Sequence, residues 1–141
     1  MTSHVLYDGN LRTVCTHKAS ETVIETDAPV DNQGKGERFS PTDLVATALA
    51  SCMMTIMGIK ARDMELDLKG MKIDVQKIMK ADPRRIAAVT LTFSFPEGFE
   101  ITARQQQVLE KAAHTCPVIY SIHPDIDVQI HFNWHSVSVV G

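Results

Sequence analysis

Residues 40–57 read SPTDLVATALASCMMTIM, and this stretch decides the architecture. Ser40 can cap a helix, Pro41 fits the first helical position, and Asp43 complements the positive end of the macrodipole. The pattern predicts a helix from Pro41 to about Asp63. Val45, Leu49, Cys52 and Ile56 form one stripe, which Leu44, Ala48, Met53 and Met57 widen. With Ala46, Ala50 and Ser51 among them, the helix is apolar nearly all round, the mark of a centrally buried element. Its most apolar part, Leu44 to Ile59, contains Thr and Ser and stops at Lys60. That is short of the roughly 20 residues a bilayer span needs, so a core helix is expected.

Outward from this helix the chain reads as strands and two further helices. On the N-terminal side, Val5 and Tyr7 alternate into the turn signal Asp8-Gly9-Asn10, and Leu11, Val14 and Cys15 follow as a second strand. A third strand is expected at Glu21 to Thr26. The polar, Gly-containing stretch from Asp27 to Ser40 reads as a long surface loop, with function or mobility as its reason. On the C-terminal side, strands are expected at Leu68–Met79 and Ala87–Phe95, joined by a polar hairpin at 81–85. A helix follows at Thr102 to His114, then a short one at Val118 to Ile122, then a last strand at Ile126 to Trp134. The order reads as hairpins rather than βαβ crossovers, which predicts an α+β fold with antiparallel sheets. One domain is expected over 1–141. Its parts are the N-terminal strands in 1–27, the central helix in 41–63, strands and smaller helices in 64–134, and a tail in 135–141.

Composition narrows the function. The chain has 141 residues, 44% hydrophobic and 22% charged, the balance of an ordinary globular domain rather than a disordered or fibrous one. Its net charge is −3, so it lacks the basic surplus of a nucleic-acid binder. The start, MTSHVLYDGN, has no basic segment followed by an apolar run, so no secretory leader is read there and no membrane partner is expected. Three cysteines, an odd number, do not make a disulfide framework, and a reducing, cytoplasmic setting is expected. The six histidines are scattered. His131 and His135 fall on the last strand and its tail, where their spacing joins no two side chains, and no metal or cofactor is expected.

The thiols remain as the chemistry. Cys116 precedes Pro117 at a helix start, where backbone N–H groups favour a thiolate. Cys52 lies mid-helix among apolar residues. Cys15 reads as a packing residue in a strand. The stretch SPTDLVATALASCMMTIM resembles the segment around the first cysteine of the OsmC/Ohr family. HTCPVIYSI is similar to that family's second motif, in which Gly-Cys-Pro-Val opens a short helix. The separation of 64 positions between Cys52 and Cys116 also fits, so the resemblance covers Val5 to Phe132.

That resemblance implies an OsmC-like fold, with antiparallel sheets wrapped around central helices in an intertwined homodimer. It implies a thiol peroxidase acting on organic hydroperoxides and recharged by an unidentified dithiol reductant. Cys52 would be the peroxidatic nucleophile and Cys116 the resolving thiol. The family's activating Arg–Glu pair is matched incompletely, because its Glu falls on Thr42. Asp43 is the neighbouring carboxylate, and Arg38, ahead of Arg12, is the first choice for the arginine. An alternative is a non-catalytic or differently employed OsmC-fold dimer that binds a small molecule. A thioester hydrolase would need a carboxylate on the central helix, where only Asp43 stands.

Overall fold

The computed structural model describes residues 1–135 and 137–140. Strands β1 (Ser3–Gly9), β2 (Arg12–His17) and β3 (Val23–Asp27) precede helix α1 (Pro41–Asp63). Strands β4 (Lys72–Lys80), β5 (Arg85–Ser94) and β6 (Glu100–Thr102) lead into helices α2 (Ala103–Ala113) and α3 (Pro117–Ser121). Strands β7 (Asp127–Asn133) and β8 (Ser138–Val140) complete the described chain. Two compact units result, Met1–Val45 and Ala46–Gly141, with the boundary inside α1.

The N-terminal unit is a three-stranded antiparallel sheet in the order β1-β2-β3. Asn10 and Leu11 both take positive φ, 53° and 64°, the backbone of a two-residue hairpin turn whose twist suits the flanking strands. Side chains alternate between faces with period two. Register therefore places Val5, Cys15 and Ile24 across one face, and Leu6, Val14 and Glu25 across the other. Neither face is an apolar core. The buried side chains here are polar (Thr26, Asp27 and Ser40), while Val5, Leu6 and Tyr7 are 63%, 61% and 64% exposed.

The C-terminal unit holds the core. Along α1 the buried residues are Ala46, Leu49, Ala50, Met53, Met57 and Ala61, recurring every three or four positions. The buried stripe is thus rotated from the expected one: Val45 lies 41% exposed, and Cys52 and Ile56 flank the buried face. Val89, Leu91 and Phe93 of β5, Ile101 of β6, and Leu109 and Ala113 of α2 join Leu49, Met53 and Met57 in one cluster. Phe93 packs on Phe132 with ring centroids 4.7 Å apart, and Phe95 stacks on Trp134 at 4.0 Å. Trp134 Nε1–H is satisfied by Glu110 Oε1 at 2.8 Å.

The α+β class holds, but the pairing is not wholly antiparallel. The larger sheet runs β4-β5-β7, and β7 lies parallel to β5. After β5 the chain crosses through β6, α2 and α3 and so returns in the same direction, which a hairpin cannot do. Strands β6 and β8 also pair in parallel. Each is three residues long, too short for alternation to reveal, and β8 falls in what reads from sequence as a tail. Helix α1, at 23 residues, exceeds the apolar run seen in the sequence and passes for a bilayer span by length and composition. One such helix is weak evidence for a membrane, and its Leu49–Met53–Met57 face is taken up by the core.

Phe93 is fully buried at the centre of this core. Phe93→Ala should lower unfolding free energy by about 3–5 kcal/mol through lost burial and a residual cavity. Urea denaturation followed by tryptophan fluorescence measures it.

Candidate active site

Cys52 and Cys116 come together within the C-terminal unit. Cys52 is half-buried beside the core face of α1. The end of α2 delivers Cys116: Thr115 folds back, its Oγ1–H donating to Ala112 O at 2.8 Å, and Pro117 starts α3 at once. Cys116 becomes the N-cap of α3, and its Sγ accepts the Ile119 N–H at 3.4 Å. Its thiol is fully buried and in hydrogen-bond contact with Cys52.

Burial pushes the Cys116 thiol above its ordinary range; the Ile119 N–H opposes this, and the contact with Cys52 adds to it. Cys116 therefore keeps its proton at neutral pH. All three cysteines are free thiols. Cys15 lies on β2 with Thr13 Oγ1 at 3.8 Å from its sulfur.

The charged residues of the N-terminal unit form a second cluster. Arg12 and Asp27 are direct cross-strand partners, and Glu25 lies two residues from Asp27 on the same face. Arg12 Nε–H and Nη2–H donate to Asp27 Oδ1 and Oδ2 at 2.8 and 2.9 Å, a bidentate fork. Arg12 Nη2 also reaches Glu37 Oε2 at 3.3 Å.

The loop from 27 to 40 is tied down by its own backbone bonds: Gly34 N–H to Pro29 O, Gly36 N–H to Ala28 O, and Asp27 N–H to Phe39 O. A Cβ at Gly34 would sit 1.7 Å from the Ala28 carbonyl oxygen, so only glycine permits this fold-back. The fold-back lets the Glu37 N–H donate to Asp27 Oδ2 at 3.1 Å. Asp27 is 1% exposed. The hydrogen bonds from Arg12 hold its carboxyl below the usual range against the cost of burial, and the same pairing raises Arg12 further above its already high value.

Arg38, the first choice from sequence, is exposed, and its Nε–H donates to Glu25 Oε2 at 2.9 Å. Asp43 closes the start of α1: its Oδ2 accepts the Ser40 N–H at 2.9 Å while Ser40 Oγ accepts the Asp43 N–H at 3.1 Å. Thr42 Oγ1 lies 3.3 Å from Ser40 Oγ. Asp27, Glu25 and Glu37 are the charged residues that sequence reading missed. The signal was present, because pairing the two strands across the polar turn at 18–21 in register sets Arg12 opposite Asp27.

A groove of about 560 Å³ between α1 and α2 is lined by residues including Lys60, Arg104, Gln105 and Val108, and by neither cysteine. Among the described residues no group of three or more His, Cys, Asp or Glu could hold a metal ion.

The chain as a whole matches a known class. Residues 34–131 match the family model of the OsmC-like proteins, and the chain belongs to that family. It is similar to the crystal structure of a putative osmotic stress induced and detoxification response protein from Psychrobacter arcticus 273-4. Identity is 53%, with a TM-score of 0.89 over 94% of this chain and 96% of that one. The same fold is seen in an organic hydroperoxide resistance protein OsmC from Legionella pneumophila (18% identity, TM-score 0.72, 94% and 97% coverage). It is also seen in the organic hydroperoxide resistance protein OhrB of Bacillus subtilis (20% identity, TM-score 0.65, 94% and 98% coverage). No functionally curated protein matches the chain.

The Arg12–Asp27 pair gives the acid limb of stability a definite sign. The Asp27 carboxyl is lowered by folding, so its contribution is complete above the ordinary carboxyl pKa of about 4. It is lost as pH falls through the lower folded value. Thermal melts of wild type should fall steeply below that pH. Asp27→Asn should melt lower at neutral pH and show a shallower acid limb.

Proposed function

We propose that this protein is a thiol-dependent peroxidase that reduces organic hydroperoxides through Cys52 and Cys116. The observation that carries the reading is the contact between these thiols, one half-exposed and the other buried with its proton retained. In the first step the Cys52 thiolate attacks the distal peroxide oxygen. The O–O bond breaks, sulfur becomes a sulfenic acid, and the alkoxide leaves and takes a proton from water. In the second step the Cys116 sulfur attacks Cys52. The S–S bond forms, and the proton held by Cys116 joins the departing hydroxide as water. An external dithiol then reduces the disulfide and is itself oxidised. No cofactor or metal enters this cycle.

Activation of Cys52 needs a positive partner, and the sequence offers Arg38 and Arg12 for it. Arg12 is favoured over Arg38 because a buried carboxylate fixes it, whereas Arg38 is exposed and shared with Glu25. Asp43 supports the site by closing the start of the helix that carries Cys52.

We propose a homodimer, with the exposed apolar strands of the N-terminal unit covered by a second copy. Three free thiols suit a reducing, cytoplasmic setting. The solved relatives described as hydroperoxide resistance proteins support the substrate class. Thr42, standing where the family has Glu, favours the second reading, a small-molecule-binding dimer without peroxidase turnover.

Turnover of cumene hydroperoxide, with thioredoxin-type, glutathione and dihydrolipoyl reductants supplied in turn, separates the two readings. Wild type should turn over with a dithiol, and Cys52→Ser should be inactive. Cys116→Ser should stop at a sulfenic acid that dimedone traps. Wild type that consumes no hydroperoxide with any reductant would favour the binding protein. Sedimentation at micromolar concentration should show a dimer, and a stable folded monomer would contradict the assembly.

A further inference from the structure

Two adjoining cavities, of about 560 and 370 Å³, lie between α1 and α2, and Lys60 and Val108 line both. They form one trough within the C-terminal unit. Its walls follow the helical repeat: Lys60 and Asp63 share a face of α1, and Arg104, Val108 and Lys111 share a face of α2. Arg104 stands at one end of the trough and Lys111 at the other, with Val108 between them.

Three cations, Lys60, Arg104 and Lys111, face one carboxylate, Asp63, so the trough carries a charge of +2 on a chain whose net charge is −3. Among the described residues, none of the three cations forms an ion pair or a side-chain hydrogen bond. Lys60 and Lys111 stand in the last turns of their helices, where the macrodipole favours a cation. Arg104 stands in the first turn of α2, where the dipole opposes it and no carboxylate compensates. Neither helix stability nor an internal partner accounts for that arginine.

We propose that the trough binds an elongated dicarboxylate, with one carboxylate at Arg104 and the other at Lys111. These residues are seven positions apart on α2, nearly two turns, which separates them by about 10 Å along the axis. The guanidinium fork of Arg104 receives a carboxylate through two N–H bonds, and Lys111 receives the other as a point charge. Val108 offers no donor between them, so the middle of the ligand is apolar. Lys60, shared by both cavities, adds attraction from the facing helix. Neither cysteine lines the trough, so this second site does not rest on the peroxidase reading.

Nonanedioate, whose extended chain sets its carboxylates about 10 Å apart, is the probe. Isothermal titration calorimetry on the full chain at low ionic strength should show sub-millimolar binding, and added salt should weaken it. Butanedioate and nonanoate each reach one end only and should bind at least about tenfold more weakly. Arg104→Gln and Lys111→Gln should each bind nonanedioate no more tightly than nonanoate. Asp63→Asn removes the opposing charge and should tighten binding about two- to threefold. Lys72→Gln, an equal change of net charge at an exposed position on β4, should leave the affinity unchanged.

Absence of nonanedioate binding, or equal affinity for the three acids, overturns the proposal. It is overturned equally by an Arg104→Gln or Lys111→Gln variant that keeps the wild-type preference for nonanedioate. A Lys72→Gln variant that weakens binding as much as those two would show an effect of net charge rather than a site, and would overturn it as well.

Discussion

Helix α1 must hide Leu49, Met53 and Met57, and the rest of the C-terminal unit is arranged around that requirement. Strand β5 supplies Val89, Leu91 and Phe93, and α2 supplies Leu109 and Ala113, to cover them. Once that face is fixed, the helical repeat leaves Cys52 on its flank. The same packing brings the end of α2 close enough for Cys116 to touch it. The sulfur pair is thus a by-product of how an apolar helix is covered. Its chemistry follows from unequal burial: one thiol is accessible, and the other is dry enough to keep its proton.

The N-terminal unit is built on a different principle. It hides almost no apolar surface, and among its buried side chains, Thr26, Asp27 and Ser40, one is a carboxylate. A buried charge is tolerable only when paired and hydrogen-bonded. Arg12 and the Glu37 backbone N–H meet that condition. The loop from 27 to 40 owes its shape to the same centre, with Gly34 pressed against Ala28 so that Glu37 can return to it. Exposed Val5, Leu6 and Tyr7 make this sheet a poor free surface, in keeping with the proposed second copy.

The sequence carried the elements with strong local signals. The capped start of α1, the first hairpin (read at Asp8-Gly9-Asn10 and found one residue on, at Asn10 and Leu11) and the Cys-Pro junction were legible because each is set by nearby residues. The parallel return of β7 was not, since it depends on where a crossover lands rather than on any period. The rotation of the buried stripe on α1 was hidden for a related reason: a helix apolar nearly all round does not announce which side faces the sheet. Within the candidate site, Cys52 and Cys116 stood out by motif. Asp27 lay at the edge of a polar loop, and its meaning emerged only from register opposite Arg12. Arg38 looked better placed from sequence because it adjoins the helix, yet the fold-back of the 27–40 loop gives it Glu25, 13 residues away, as a partner.

The central claim is that Cys52 and Cys116 form one redox couple. One equivalent of organic hydroperoxide added to the fully reduced protein, followed by peptide mapping of the quenched product, tests it most directly. The account requires a single disulfide between Cys52 and Cys116, with Cys15 recovered as a free thiol. A disulfide that includes Cys15, or recovery of both Cys52 and Cys116 as thiols, would contradict it.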